Sequence, residues 1–127
     1  MKKEEVEVFL SKARGFEKIA KQCFDDGIYD LSIFCLEQSA QLYLKTKLYE
    51  LVGEFPRTHD LIKLLEILSS FYRNEEVKNF IGKNLDLLAK LIDAYITSRY
   101  YTRRFYREEV ESAFRILKEL KDLLRYD

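Results

Sequence analysis

The segment from Ile28 to Val52, I-Y-D-L-S-I-F-C-L-E-Q-S-A-Q-L-Y-L-K-T-K-L-Y-E-L-V, contains neither Gly nor Pro. Its apolar residues fall on almost every side of a helical projection. Leu31, Cys35 and Leu42 share one stripe, and Leu36, Ala40, Leu44 and Leu51 share another. A helix that is apolar nearly all round must be covered nearly all round. At about 1.5 Å per residue it would run on the order of 37 Å, the length of a small domain. The pattern predicts the central helix of an all-α bundle. Gln38 and Lys45 lie on the stripe of Leu31, Cys35, Leu42 and Tyr49, and polar groups on a packing seam need partners. Either Gln38 bonds a neighbouring helix while Lys45 snorkels to water, or the two mark a polar pocket or a subunit contact.

Composition narrows the class. A chain of 127 residues fits one domain, residues 1–127, with a real core. With only 4 Gly and 1 Pro, many-turned β architectures are disfavoured. Lys and Arg number 22, and so do Asp and Glu, so no global field recruits nucleic acid or membrane. Such a role has to rest on a local patch. No apolar run approaches the roughly 18 residues that span a bilayer. The opening M-K-K-E-E-V-E-V has no signal-peptide core, which predicts a cytoplasmic protein. Cys23 and Cys35 fall at different heights on successive antiparallel helices, so two buried thiols are expected rather than a disulfide. One His and no Cys cluster leave no zinc site of known spacing, and no metal or cofactor is expected.

Helical punctuation divides the rest. Val6, Phe9, Leu10, Ala13, Phe16, Ala20, Cys23 and Phe24 recur at three- and four-residue steps and predict a first helix over about 3–25. Gly15 sits in its middle at a cost of about 1 kcal/mol relative to Ala, and a close helix neighbour is the expected reason. Asp25-Asp26-Gly27 makes a short turn that forces the second helix antiparallel to the first. Gly53 is the expected stop of the second helix. Pro56 keeps the next stretch non-helical, and Thr58 is the expected N-cap of a third helix that ends near Arg73. From about Glu75 one long helix is expected, with a soft spot at Gly82. Leu85, Leu88, Ile92, Tyr95 and Arg99 form its stripe. A non-helical link over about 101–106 leads to a last helix with Val110, Ala113, Phe114, Leu117, Leu120 and Leu124 inward. The result is an all-α, up-and-down helical bundle of about five helices.

Two places carry chemistry. Arg99 to Arg107, R-Y-Y-T-R-R-F-Y-R, sets four arginines among four aromatic rings in a chain of no net charge. Arginine pairs bidentately with phosphate, and Tyr or Phe stacks on bases, so the composition suits single-stranded RNA or a nucleotide. The same residues also suit plain structure: cations offset a helix C-terminus, tyrosines pack at a bundle end, and Arg107 pairs with Glu111 one turn on. His59, the single histidine, follows Arg57 by two residues at a helix N-terminus. It can serve as general acid or base, or bond a carbonyl and shape the turn. No Gly-rich phosphate loop, G-x-S-x-G elbow or H-E-x-x-H occurs.

Three stretches resemble the HEPN domain family. They are C-L-E-Q-S-A-Q-L-Y-L-K (Cys35 to Lys45), F-P-R-T-H-D-L (Phe55 to Leu61) and A-Y-I-T-S-R-Y (Ala94 to Tyr100), in that order and spacing over nearly the whole chain. The resemblance implies a helical up-and-down bundle that dimerises, here a homodimer. It also implies a nucleotide or RNA ligand, or a minimal nucleotidyltransferase partner of the toxin–antitoxin kind. The family's ribonuclease branch carries an Arg, a polar residue and, after four to six intervening positions, a His. For His59 that Arg would stand at Val52, Gly53 or Glu54, and Arg99, Arg103 and Arg104 have no His downstream. The family's Arg-Tyr-Pro is Arg99-Tyr100-Tyr101 here. The resemblance therefore carries over the fold and the positions Arg57, His59, Arg99 and Tyr100, without a catalytic pair.

The sequence points to a non-catalytic module whose ligand groove is lined by Arg57, His59, Arg99, Tyr100, Arg103 and Arg104. A divergent metal-independent ribonuclease using His59, and a purely structural dimeric scaffold, are the rival readings.

Overall fold

The computed structural model describes residues 2–100 and 104–126, the side chains of residues 2 and 97–100 excepted. Six helices follow one another: α1 (Lys2–Asp25), α2 (Tyr29–Val52), α3 (Leu61–Ser69), α4 (Asn74–Lys83), α5 (Leu85–Tyr100) and α6 (Arg107–Leu124). Among the described residues there is no strand, and no helix is long and apolar enough to cross a membrane.

α1 and α2 form an antiparallel hairpin, as the short turn requires. Gly27 takes a left-handed conformation, φ 76°. The Ile28 N–H donates to the Cys23 carbonyl at 2.8 Å and the Gly27 N–H to that of Phe24 at 3.0 Å, so the last carbonyls of α1 are satisfied. The hairpin is pinned by two buried serines of α2. Ser32 Oγ donates to the Ala20 carbonyl at 2.7 Å, and Ser39 Oγ to the Ala13 carbonyl at 2.8 Å. Each partner set is spaced seven residues, two turns, so it returns to one helix face. Ala13 and Ala20 are fully buried and have no atoms beyond Cβ to hold the helices apart. Gly15 does not serve this approach: a Cβ built there meets nothing within 4 Å. The hairpin closes through Ala13, two positions earlier.

α2 touches α1, α3, α5 and α6, which is the central position its apolar surface demands. Ile33, Leu36, Tyr43, Leu44 and Leu48 are fully buried. Leu31 and Leu51, near the two ends of the helix, are 46 % and 41 % exposed, so those stripes lose cover at the bundle's poles. Gly53 ends the helix at φ 80°, its N–H donating to the Tyr49 carbonyl. Cys23 and Cys35 are buried and free.

The N-cap of α3 is Asp60, not Thr58. Asp60 Oδ1 accepts from the Ile62 and Lys63 N–H groups at 2.9 and 3.2 Å. Thr58 Oγ1 instead accepts from the Asp60 N–H and shapes the turn before it. α3 ends at Ser69 rather than near Arg73. The Ser70 and Phe71 N–H groups reach back only three residues, tightening the last turn, and Asn74 Nδ2 takes the Ser69 carbonyl at 2.8 Å.

The expected long helix from Glu75 is two helices, and the break falls at Asn84 instead of Gly82. Asn84 leaves helical geometry (φ −116°, ψ 19°) and is buried. Its side-chain Nδ2 donates to the Phe80 carbonyl at 3.1 Å, the local bonding by which Asn competes with a helix. That division makes the helices six rather than about five.

Phe105 is buried ahead of α6, and its N–H donates to Asp30 Oδ1 at 2.9 Å. The Tyr106 N–H donates to Glu109 Oε1, closing the first turn of α6. The Arg107–Glu111 pair forms at 3.5 Å, and the same guanidinium lies 4.6 Å from the Phe24 ring. One apolar cluster draws on all six helices, with Leu44, Leu61, Leu65, Val77, Leu91 and Leu117 among its members.

Candidate functional site

At about 100° per residue, the α2 positions 34, 37, 38, 41 and 45 fall on one face. Positions 32, 39, 43, 46, 47 and 50 fall on the opposite one. The second face packs on α1 and α6. Tyr43 donates there to Glu17 Oε1 at 2.9 Å, and Lys121 reaches the same carboxylate at 3.1 Å. The first face meets α5 and the loop before α3, and it carries the candidate site.

Glu37 is fully buried on that face. Both of its carboxylate oxygens accept amide N–H groups: Gln38 Nε2 at 2.9 Å and Gln41 Nε2 at 2.5 Å. Gln38 therefore bonds its own helix neighbour rather than another helix. Lys45, two turns beyond Gln38, is a partly buried residue; burial holds its pKa below the usual lysine range, and the Glu37 charge opposes that shift. Gln41 is 5 % exposed and turns its Oε1 to His59 Nδ1 at 3.2 Å. The imidazole stacks on Tyr95 of α5, with ring centroids 5.4 Å apart and planes 16° apart. Tyr95 stacks in turn near Phe34 of α2, at 6.3 Å. The loop can reach this position because Gly53 turns the chain back and the Asp60 cap starts α3 just after His59.

His59 and Arg57 both lie at the surface of this loop. Arg104 is exposed as well, but it sits elsewhere along α2. The chain beside it is tied to Asp30, eleven residues before Gln41, which is about 16 Å along the helix axis. The backbone of α5 carries position 99 one turn beyond Tyr95; the side chains of Arg99 and Tyr100, and the whole of Arg103, lie outside the described residues. Glu37, Gln41 and Tyr95 are the site residues that sequence reasoning left unassigned. The signal was a pair of polar residues four apart on an otherwise apolar helix, which the adjacent Gln38 and Lys45 obscured. Among the described residues no group of His, Cys, Asp and Glu is arranged to hold a metal ion.

A groove of about 560 Å³ lies on the opposite side of α2, lined by Lys3, Val6, Glu7, Leu10, Glu50 and Tyr126. It brings together one cation and two carboxylates and none of the residues above.

The described residues form an all-α bundle of six helices. The HEPN domain family model matches residues 6–126, and the chain belongs to that family. A comparison with curated proteins gives no match.

Proposed function

We propose that this chain is a non-catalytic HEPN module that works in the cytoplasm as a homodimer and binds RNA or a nucleotide at the face containing His59. The observation that carries the reading is the His59 ring itself, fixed by Gln41 and Tyr95 at the surface, with the exposed Arg57 two residues before it. A planar group and a permanent cation two residues apart on one exposed loop suit a base or sugar next to a phosphate. Of the basic and aromatic stretch Arg99, Tyr100, Arg103 and Arg104, the first two belong to the helix that supplies Tyr95 and the others follow in sequence. Its end at Arg104 lies about 16 Å along α2 from His59, a span that favours an oligonucleotide strand over a mononucleotide. A minimal nucleotidyltransferase is the protein partner that this kind of surface would meet in a toxin–antitoxin pair.

Titration of the purified protein with ATP and with single-stranded RNA tests the reading. RNA should bind more tightly than ATP. Arg99→Ala combined with Arg103→Ala should weaken RNA binding and flatten the log–log salt slope by about 1.4, the loss of two phosphate contacts to a single strand. Unchanged binding in the double variant removes the site. No binding by the wild type, with a dimer in sedimentation, leaves the scaffold reading.

Ribonuclease activity is the second reading, favoured only by how firmly the imidazole is held. It requires metal-independent RNA cleavage that vanishes in His59→Ala. Cleavage that survives this change belongs to another site or to a contaminant.

A further inference from the structure

We propose that Glu37 and Gln41 are positioning residues that hold His59 in its Nδ1–H tautomer, so that Nε2 offers a lone pair to a hydroxyl-bearing ligand. The argument runs outward from the buried end. Both Glu37 carboxylate oxygens accept amide N–H groups, one from Gln38 and one from Gln41. A primary amide has one donating end and one accepting end. Glu37 occupies the donating end of Gln41 at 2.5 Å, so the end facing His59 is the oxygen. An oxygen 3.2 Å from Nδ1 makes a hydrogen bond only if Nδ1 carries the proton. A neutral imidazole has a single N–H, and Nε2 is then the unprotonated nitrogen.

Turning the ring over by 180° keeps its stack on Tyr95 but sets Cδ2 in the place of Nδ1 and loses the Gln41 hydrogen bond. Free imidazole side chains in water prefer the other tautomer, with the proton on Nε2. The site thus inverts the default, and what it gains is an acceptor on the ring edge away from α2. An acceptor two residues along the loop from the exposed Arg57 suits a ligand that carries a hydrogen-bond donor and a phosphate, which is the chemistry of a ribose hydroxyl in a nucleotide. That last step rests on the nucleic-acid reading above; the tautomer itself does not.

His59 is the chain's one histidine, so a protein labelled with ¹⁵N-histidine gives one set of ring signals. Long-range ¹H–¹⁵N correlation at pH 9, where an ordinary imidazole is neutral, reads the tautomer of the free protein directly. The expected result is a predominant Nδ1–H pattern in the wild type. A predominant Nε2–H pattern in the folded wild type overturns the proposal without any variant being made. Gln41→Met removes the acceptor at similar volume, and Glu37→Leu removes both oxygens of the group that orients it. Each should move the tautomer ratio toward Nε2–H, by roughly tenfold for Gln41→Met, the scale of one hydrogen bond. An unmoved ratio in a folded Gln41→Met protein also overturns it. Addition of single-stranded RNA should shift Nε2 more than Nδ1, whereas the matching DNA should leave Nε2 in place. Equal response to the two overturns the hydroxyl contact and leaves the tautomer assignment intact. Absence of RNA binding counts against the nucleic-acid reading alone.

Discussion

Arg125 ends α6 with φ 62°, a left-handed conformation that a residue with a Cβ adopts at a cost on the order of 1 kcal/mol. The Tyr126 N–H reaches the Lys121 carbonyl and the Arg125 N–H that of Asp122, the same closing bonds that Gly27 makes for α1. Arg125→Gly should therefore raise stability by about 0.5–1 kcal/mol, read as a higher urea midpoint at an unchanged slope. Thr46 presents the opposite defect. It is fully buried on the α1-facing side of α2, and its Oγ1 is the buried side-chain oxygen without a hydrogen-bond partner among the described residues. Thr46→Val keeps the shape and removes the unmet hydroxyl. It should stabilise the fold by about 1 kcal/mol, and a lower urea midpoint would show that the hydroxyl is in fact satisfied.

Between elements, the α1–α2 hairpin depends on the absence of side-chain bulk at two places. Ala13 and Ala20 are fully buried, and their carbonyls receive the hydroxyls of Ser39 and Ser32. Ala13→Leu has to push the helices apart or strain its rotamer and should also break the Ser39 bond, costing roughly 1–3 kcal/mol. Ser39→Ala loses only the hydrogen bond and should cost about 1 kcal/mol. Chemical denaturation of the two variants checks the order; equal losses would mean that close approach is not what the alanines provide. At α3, Asp60→Ala should cost about 1 kcal/mol through the lost cap, with Thr58→Ala costing less because its hydroxyl accepts only the N–H of the cap residue and none from the helix.

At the scale of the whole molecule, alkaline pH should loosen the bundle. Burial pushes the Cys35 thiol up to about 11, with Cys23 beside it adding to the rise. Burial, then Glu17, raises the Tyr43 hydroxyl, and burial, then Glu50, raises that of Tyr126. Each of these acids keeps its proton in the fold after the unfolded chain has released it. Below about 9, the ordinary thiol value, both states hold the proton and stability does not depend on these groups. Above that, the native state binds more protons than the unfolded one, so stability falls as pH rises. Lys45, held low by burial, works with the opposite sign just below its ordinary 10.5, one group against three. The urea midpoint should be level from pH 7 to about 9 and fall by pH 10.5. A midpoint that climbs over that range would mean that these hydroxyls and the thiol ionise freely in the fold.

Apolar periodicity and chain punctuation were enough to determine the helical class, the central place of the 28–52 segment, the antiparallel hairpin after Gly27 and the stop at Gly53. Each rests on interactions within a few residues or on one helix burying its own stripe. The division at Asn84, the cap at Asp60 and the indifference of Gly15 were not legible, because each is decided by which of several adjacent polar or small groups finds a partner. The family could be read from motif order, and His59 could be picked out as a site candidate from its being the one histidine. That Glu37 and Gln41 stand behind it could not, since a buried carboxylate and a surface one look alike along the chain. Only the packing of α2 against α5 and the returning loop takes Glu37 out of water, and burial is what forces its hydrogen bonds, and through them the orientation of the imidazole, to be specific.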